Sequence, residues 1–273
     1  MKPALLRQPA IAVPAAILLL IVLLAVIGPW LAPQPFDAID FDAEWGAAPS
    51  AAHPFGTDDL GRDLFARVCV GGRLSLAVGL VSTLVSLAIG IAWGAVAGWF
   101  GGRVDAVMMR VVDILYALPF MFFVILLMVL FGRHELLIFV AIGAVSWLDM
   151  ARIVRGQTLA LRRQPFIDAA VVSGLGNAAI LVRHVIPNLL GVVIVCATLT
   201  VPQAILVESF LSFLGLGIQE PATSWGALVN DGARAMEATP WGLIFPAGFL
   251  VLTLLAFNWL GDALRAALDA PRR

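Results

Sequence analysis

No residue from 8 to 36 carries a charge, and five further stretches of the chain are nearly as bare. Inside a hydrocarbon core every backbone N–H and C=O must find its partner within the protein, so only helices and closed barrels cross it. A crossing helix needs about 20 apolar residues. The first crossing is read over residues 11–31, and the uncharged runs 74–102, 114–132, 188–207 and 238–261 supply four more. Residues 136–148 are shorter and reach a full span only by running through Asp149 toward Ile153. The chain is 61% hydrophobic and 13% charged, against about 25% charged in soluble domains. It reads as an all-α polytopic membrane protein with six transmembrane helices.

Six crossings place both termini on one side. With the N-terminus inside, the inner segments hold 12 of the 17 Lys and Arg residues and the outer ones 5. The positive-inside rule therefore puts both termini and the central loop, residues 151–188, in the cytoplasm. The chain divides into a tail with the first crossing (1–32), an extracytoplasmic segment with an interfacial helix (33–73) and a five-helix core (74–273). The first crossing is too long for a signal-peptide core and no small-x-small cleavage site follows it, so it is expected to be a retained anchor. A net charge of −1 with no basic domain gives no reason to expect nucleic acid.

The outer segment is acidic. Thr57 is expected to cap a helix with Asp58 and Asp59 in its first turn, facing water rather than binding a metal. In the second crossing Ser82, Ser86, Gly90, Gly94 and Gly98 recur every fourth residue, a ridge that lets helices pack closely in lipid. Asp149 is expected near the interface or paired with Arg152. In the fifth crossing Thr198, Thr200, Pro202 and Gln203 bring polarity and a kink, and Glu208 follows. Loosened backbone is tolerated where protein or a water-lined cavity covers it, so Thr198, Pro202, Gln203 and Glu208 are the candidate lining of a translocation path.

The central loop is the longest cation-rich interval between apolar runs. Pro165 suits the first turn of a short helix, where its missing N–H costs nothing, and Asp168 favours the dipole there. Ala169, Ala170, Gly174 and Gly176 keep the surface small. Gly174 implies a close approach or a turn, and Pro187 is expected to stop the segment. The interval reads as a cytoplasmic docking knob, on which a bulky residue at Ala170 or Gly174 should abolish transport without preventing insertion.

Several chemistries have no motif to stand on. There is no G-x-x-x-x-G-K-[ST] and no H-E-x-x-H, and the only lysine is Lys2. Cys69 and Cys196 lie far apart in sequence, so neither a disulfide framework nor a zinc site is supported.

Asp168-Ala169-Ala170, Gly174 and Ile186-Pro187 fit the spacing E-A-A, three residues, Gly, nine residues, I-x-L-P, and so the loop resembles the signature of ABC importer membrane subunits. Asp168 stands for Glu, His184 for Ile and Ile186 for Leu. HPFGTDDLGRDLFARV from His53, SFLGLG from Ser212, SWGALVNDGA from Ser224 and FNWLGDALRAALD from Phe257 extend the resemblance to the C-type permease subunits of peptide importers, with the oligopeptide branch nearest. The resemblance implies a type I ABC importer permease fold in the bacterial inner membrane and a heterodimer with a B-type permease. It also implies two cytoplasmic ATPases that bind the ATP and Mg, no cofactor on this chain, and an extracytoplasmic peptide-binding protein. Asp168, Ala169, Ala170, Gly174, Ile186 and Pro187 would form the segment coupled to the ATPase. The alternatives are the same fold with a dipeptide, nickel or opine cargo, or a proton-coupled transporter relaying through Asp149 or Glu208.

Overall fold

The computed structural model describes residues 9–39, 45–131 and 135–269. Its regular elements are helices: α1 (Pro9–Leu31), α2 (Leu64–Phe100), α3 (Gly102–Ala117), α4 (Phe120–Phe131), α5 (Glu135–Leu161), α6 (Pro165–Val172), α7 (Asn177–Ile180), α8 (Ile186–Phe213), α9 (Trp225–Arg234) and α10 (Trp241–Asp269). A π-helical turn, Leu181–Val185, joins α7 to α8. Among the described residues, Pro9–Leu31, Leu64–Phe100, Asn177–Phe213 and Trp241–Ala267 are long and apolar enough to cross a membrane. A fifth crossing results if α3 and α4, bent by 78° against each other, act as one span.

Helix α1 buries Ile11, Pro14, Leu18, Ile21, Ala25 and Gly28. Their alternating three- and four-residue spacing is the seam of a helix packed lengthwise on its neighbours. Pro29 cannot donate to the Ala25 carbonyl four residues before it. Arg73 of α2 fills that vacancy, donating from Nε to Ala25 at 2.7 Å and from Nη2 to Val26 at 2.6 Å while stacking on Trp30.

The expected interfacial helix and second crossing are one element, α2. It begins at Leu64, after the expected cap at Thr57 and before residue 74, and runs 37 residues without interruption, about 55 Å at 1.5 Å per residue. Thr57 does not cap it. Asp63 does, accepting from the Ala66 N–H at 2.7 Å. The reason lies in Asp58, whose Oδ1 accepts from the backbone N–H groups of Leu60 and Arg62 and closes a turn in place of opening a helix. The segment before α2 is anchored on α10, with Phe55 stacked on Phe245 at 4.1 Å and Trp241 donating to the Thr57 carbonyl.

The small-residue ridge of α2 lies against α5. Ser86 donates to the Ser146 carbonyl at 2.8 Å. Gly90 faces Met150, Gly94 faces the Ala151 carbonyl and Val154, and Gly98 faces the Arg155 carbonyl and Thr158. Removing Cβ atoms along one face brings two helix backbones into contact, the expected use of such a ridge in lipid. That contact carries α5 past Asp149 to Leu161, well beyond Ile153.

Two prolines act otherwise than as simple stops. At the α3–α4 break, Leu118 is extended (φ −74°, ψ 130°) because the ring of Pro119 excludes the helical conformation from the residue before it. Pro187 lies in the first turn of α8 and leaves the helical path from α7 to α8 continuous. The π turn before it, in which Ile186 N–H bonds to the Leu181 carbonyl, absorbs the mismatch, and the Asn188 side-chain amide donates to the His184 carbonyl at 2.6 Å.

Candidate functional site

Three regions hold the candidate residues. The first is the knob at the C-terminal end of α2. Gln164 precedes α6 in an extended conformation, Pro165 opens its first turn and Asp168 lies in that turn. Ile167 and Ala170 are buried in one cluster with Trp99, Val154, Ile180 and Val185. The opposite face presents Phe166, Asp168, Ala169 and Val172, all exposed. A short helix with one face seated in the core and an apolar face left open is a rigid protrusion. Gly174 ends it at φ +79° with nothing within 4 Å of where a Cβ would stand. Gly174 therefore makes a turn, and close approach within the chain is not its purpose. Ile186 and Pro187 stand beyond the π turn, Ile186 half-buried and Pro187 exposed.

Of the loop's cations, Arg152 and Arg155 are turned elsewhere. Arg155 forks onto Asp105 of α3 at 2.5 and 2.6 Å, and Arg152 donates to Asp113 at 2.9 Å over the ring of Tyr116. Asp149 is therefore not the partner of Arg152. Those two pairs clamp α3 to α5. Arg162 lies over Trp99 beside a hollow of about 330 Å³ that Asp168 also lines.

The second region is a hollow of about 440 Å³ between α3, α5 and α8. Asp149, Ser146, Thr200, Gln203 and the Leu118–Pro119 break lie on its wall. Of the residues expected along a path, Gln203 lines this hollow, and Thr198, Pro202 and Glu208 do not. Thr198 abuts Gly261 of α10 and Pro202 is buried. Glu208 is fully buried in a shell of serines: Ser212 donates to it at 2.7 Å, Ser75 at 3.2 Å and Ser209 at 3.4 Å. Ser75 also accepts from the Trp225 N–H, so the carboxyl ties α2, α8 and α9 together. Its sequence neighbours Ser209 and Ser212 hinted at this shell. Nothing near Ser75, 133 residues away, announced its part.

The third region lies at the N-terminal end of α2. Arg62 contacts Asp58 at 2.7 Å and Glu220 at 2.9 Å, and buried Arg67 lies 3.4 Å from Asp58 and 3.6 Å from Glu220. Asp58 thus faces arginines rather than open water. The hydrogen bond from Arg62 holds the Glu220 carboxyl below its usual range. The stabilisation this implies is present above the ordinary glutamate pKa of about 4.3 and is lost as pH falls through the lowered value in the folded protein. Because 58% of the Glu220 side chain is exposed, solvent screens the pair and the effect is small. Glu220→Gln should therefore weaken the acid-side fall in melting temperature of the purified protein between pH 6 and 3, and an unchanged slope would remove Glu220 from that balance.

Among the described residues, no three His, Cys, Asp or Glu side chains are placed to hold a metal ion. Residues 90–273 match the family model described as binding-protein-dependent transport system inner membrane component. The chain is 56% identical over 262 residues to the oligopeptide transport system permease protein OppC of Escherichia coli (strain K12), covering 94% of this chain and 85% of that protein. It is 52% identical to the protein of the same name in Haemophilus influenzae, covering 98% and 86%. It is 48% identical to the dipeptide transport system permease protein DppC of Bacillus subtilis (strain 168), covering 94% and 80%. With most of its length matched by the family model and by these relatives, this chain belongs to the binding-protein-dependent transport system inner membrane component family.

Proposed function

We propose that this chain is a membrane-spanning permease subunit of an ATP-driven importer that takes up oligopeptides handed over by an extracytoplasmic binding protein. The observation that carries the reading is α6: a short helix with a buried seat and an open apolar face, at the position of the E-A-A pattern. Such a protrusion can be pushed as a rigid body by a neighbouring subunit. Asp168, Ala169, Gly174 and the 186–187 turn form the surface toward an ATPase, with Ala170 seating it. ATP and Mg belong to two partner ATPases, and a paralogous B-type permease completes the translocation path. The oligopeptide cargo follows the names of the relatives with 56% and 52% identity. A dipeptide cargo is the second reading, supported by the relative with 48%.

Six crossings complete the proposal, with both termini cytoplasmic and the 33–73 segment outside. The 27 residues of α5 make about 40 Å of helix, enough for a hydrocarbon core of about 30 Å. With α5 and the bent α3–α4 pair added to the four long apolar segments, the count reaches six. Alternating access then requires the ATPases to bind the two permease states with different affinity, since a ligand shifts an equilibrium only through such a difference.

The test is ATP hydrolysis by the reconstituted complex of this chain, its permease partner and both ATPases, with and without peptide-loaded binding protein. Stimulation by the loaded binding protein is expected. If the ATPases fail to co-purify with the wild-type chain, the importer reading is lost. If they assemble and peptide does not stimulate, the cargo is wrong and the architecture stands.

A further inference from the structure

The hollow between α3, α5 and α8 holds a carboxylate that no other described residue engages. Asp149 is exposed on its wall, and among the described residues no ion pair or hydrogen bond engages its side chain. The charged and titratable groups around it are committed elsewhere. Arg152, one turn along α5, is held by Asp113 and lies over Tyr116, and Arg155 is forked onto Asp105. From α8, Glu208 is turned inward to its serines. The other polar side chains on the wall are the neutral groups Tyr116 from α3, Ser146 from α5, and Thr200 and Gln203 from α8.

Three features of the hollow suit it to a ligand. An ionisable side chain within a membrane-crossing segment is expensive to keep and marks a pathway or a ligand. The wall includes the Leu118–Pro119 break. Irregular backbone at membrane depth is tolerated where it lines a cavity, and interrupted helices mark substrate sites in transporters. The volume of about 440 Å³ falls in the range of about 300–1,000 Å³ typical of small-ligand pockets.

An unpaired carboxylate among neutral hydroxyl and amide groups selects a cation that donates several hydrogen bonds. A linear peptide carries one such group whatever its sequence, its N-terminal ammonium. A single cationic side chain reaching in from a second permease would leave most of the hollow unfilled. We propose that Asp149 receives the α-ammonium of the peptide during translocation, with Gln203, Thr200 and Ser146 around the first residue. This rests on the peptide-import reading above.

The experiment compares ATP-driven uptake of radiolabelled trialanine by proteoliposomes of the whole wild-type complex and of the Asp149→Asn complex, from pH 6.5 to 9.5. Both use the same binding protein, so its own pH response cancels in the ratio of the two rates. An α-ammonium titrates with a pKa of about 7.7–8.0. The variant-to-wild-type ratio should start near about one-tenth at pH 6.5, the loss expected when one charge-assisted contact is removed, and climb toward unity above pH 9. Asn matches Asp in size, so subunit assembly is expected to be intact, as measured by co-purification of the second permease. A ratio independent of pH overturns the assignment, because Asp149 would then act on something other than the ammonium. Loss of the second permease from the variant complex also overturns it, because Asp149 would then bind that subunit. Absence of trialanine uptake by the wild-type complex sinks the peptide-import reading and this assignment with it, whereas wild-type uptake with a flat ratio sinks the assignment alone.

Discussion

Gly94→Leu is expected to remove the folded subunit from the membrane almost entirely. A Cβ at residue 94 would meet the Ala151 carbonyl, the Val154 Cβ at 2.8 Å and the Arg155 nitrogen at 2.9 Å. Two of those three atoms belong to the α5 backbone and cannot rotate away. Relief requires α5 to move outward as a rigid rod, opening the contacts at Gly90 and Gly98 and stretching the bond from Ser86 to the Ser146 carbonyl. Overpacking a well-packed core costs about 1–3 kcal/mol where side chains can repack, and a collision with backbone belongs at or beyond the top of that range. Gly156→Leu, also in α5, is the control. Nothing lies within 4 Å of its Cβ position, so it should leave the subunit inserted and monodisperse on size-exclusion chromatography in detergent. If Gly94→Leu elutes as wild type, the α2–α5 seam is not the close contact described above.

Ala169→Trp is expected to return ATP hydrolysis in the reconstituted complex to its unstimulated level while the subunit inserts normally. Ala169 lies on the open face of α6, so an indole there meets solvent in the isolated chain and an ATPase surface in the proposed complex. Losing about 1.4 kcal/mol of docking free energy is enough for a tenfold fall, and an indole wedged into a docking seat should exceed that. The structure moves this test away from Ala170, which is buried beside Trp99 and Ile180. Trp at Ala170 would lift α6 from its seat and so confuse a docking defect with a folding defect. Gly174 behaves differently again. Its φ of +79° is unfavourable for any residue with a Cβ by about 1–2 kcal/mol, so Gly174→Ala should lower stimulation modestly through strain alone. Stimulated hydrolysis at the wild-type rate with Trp at residue 169 would remove α6 as the ATPase seat.

Local pattern was enough to place much of this architecture. Runs without charge locate α1, α8 and α10 and most of α2, because membrane-depth backbone must be satisfied within the same helix and that demand is read residue by residue. The four-residue ridge from Ser82 to Gly98 marks the close-packing face of α2 for a similar reason, since equal spacing puts small side chains on one face whatever lies opposite. Pro165 and Gly174 bracket α6 through their own dihedral limits. Each of these is a property of a few consecutive residues.

The pairings across helices are of another kind. Arg152 and Asp149 look like partners three residues apart, yet Arg152 takes Asp113 from α3 and Asp149 is left in the hollow. Asp58 looks like a first-turn carboxylate and instead closes a turn and meets Arg62 and Arg67. Arg73 looks like an outer flanking charge and instead takes the carbonyl that Pro29 leaves free in α1. Glu208 looks like a path-lining carboxyl and is enclosed by a serine 133 residues away. A helix forms through bonds four residues apart, so its existence and length are written locally. Which groups meet across two helices depends on how each is rotated about its axis and slid along it, and those two quantities emerge only when all the helices pack at once.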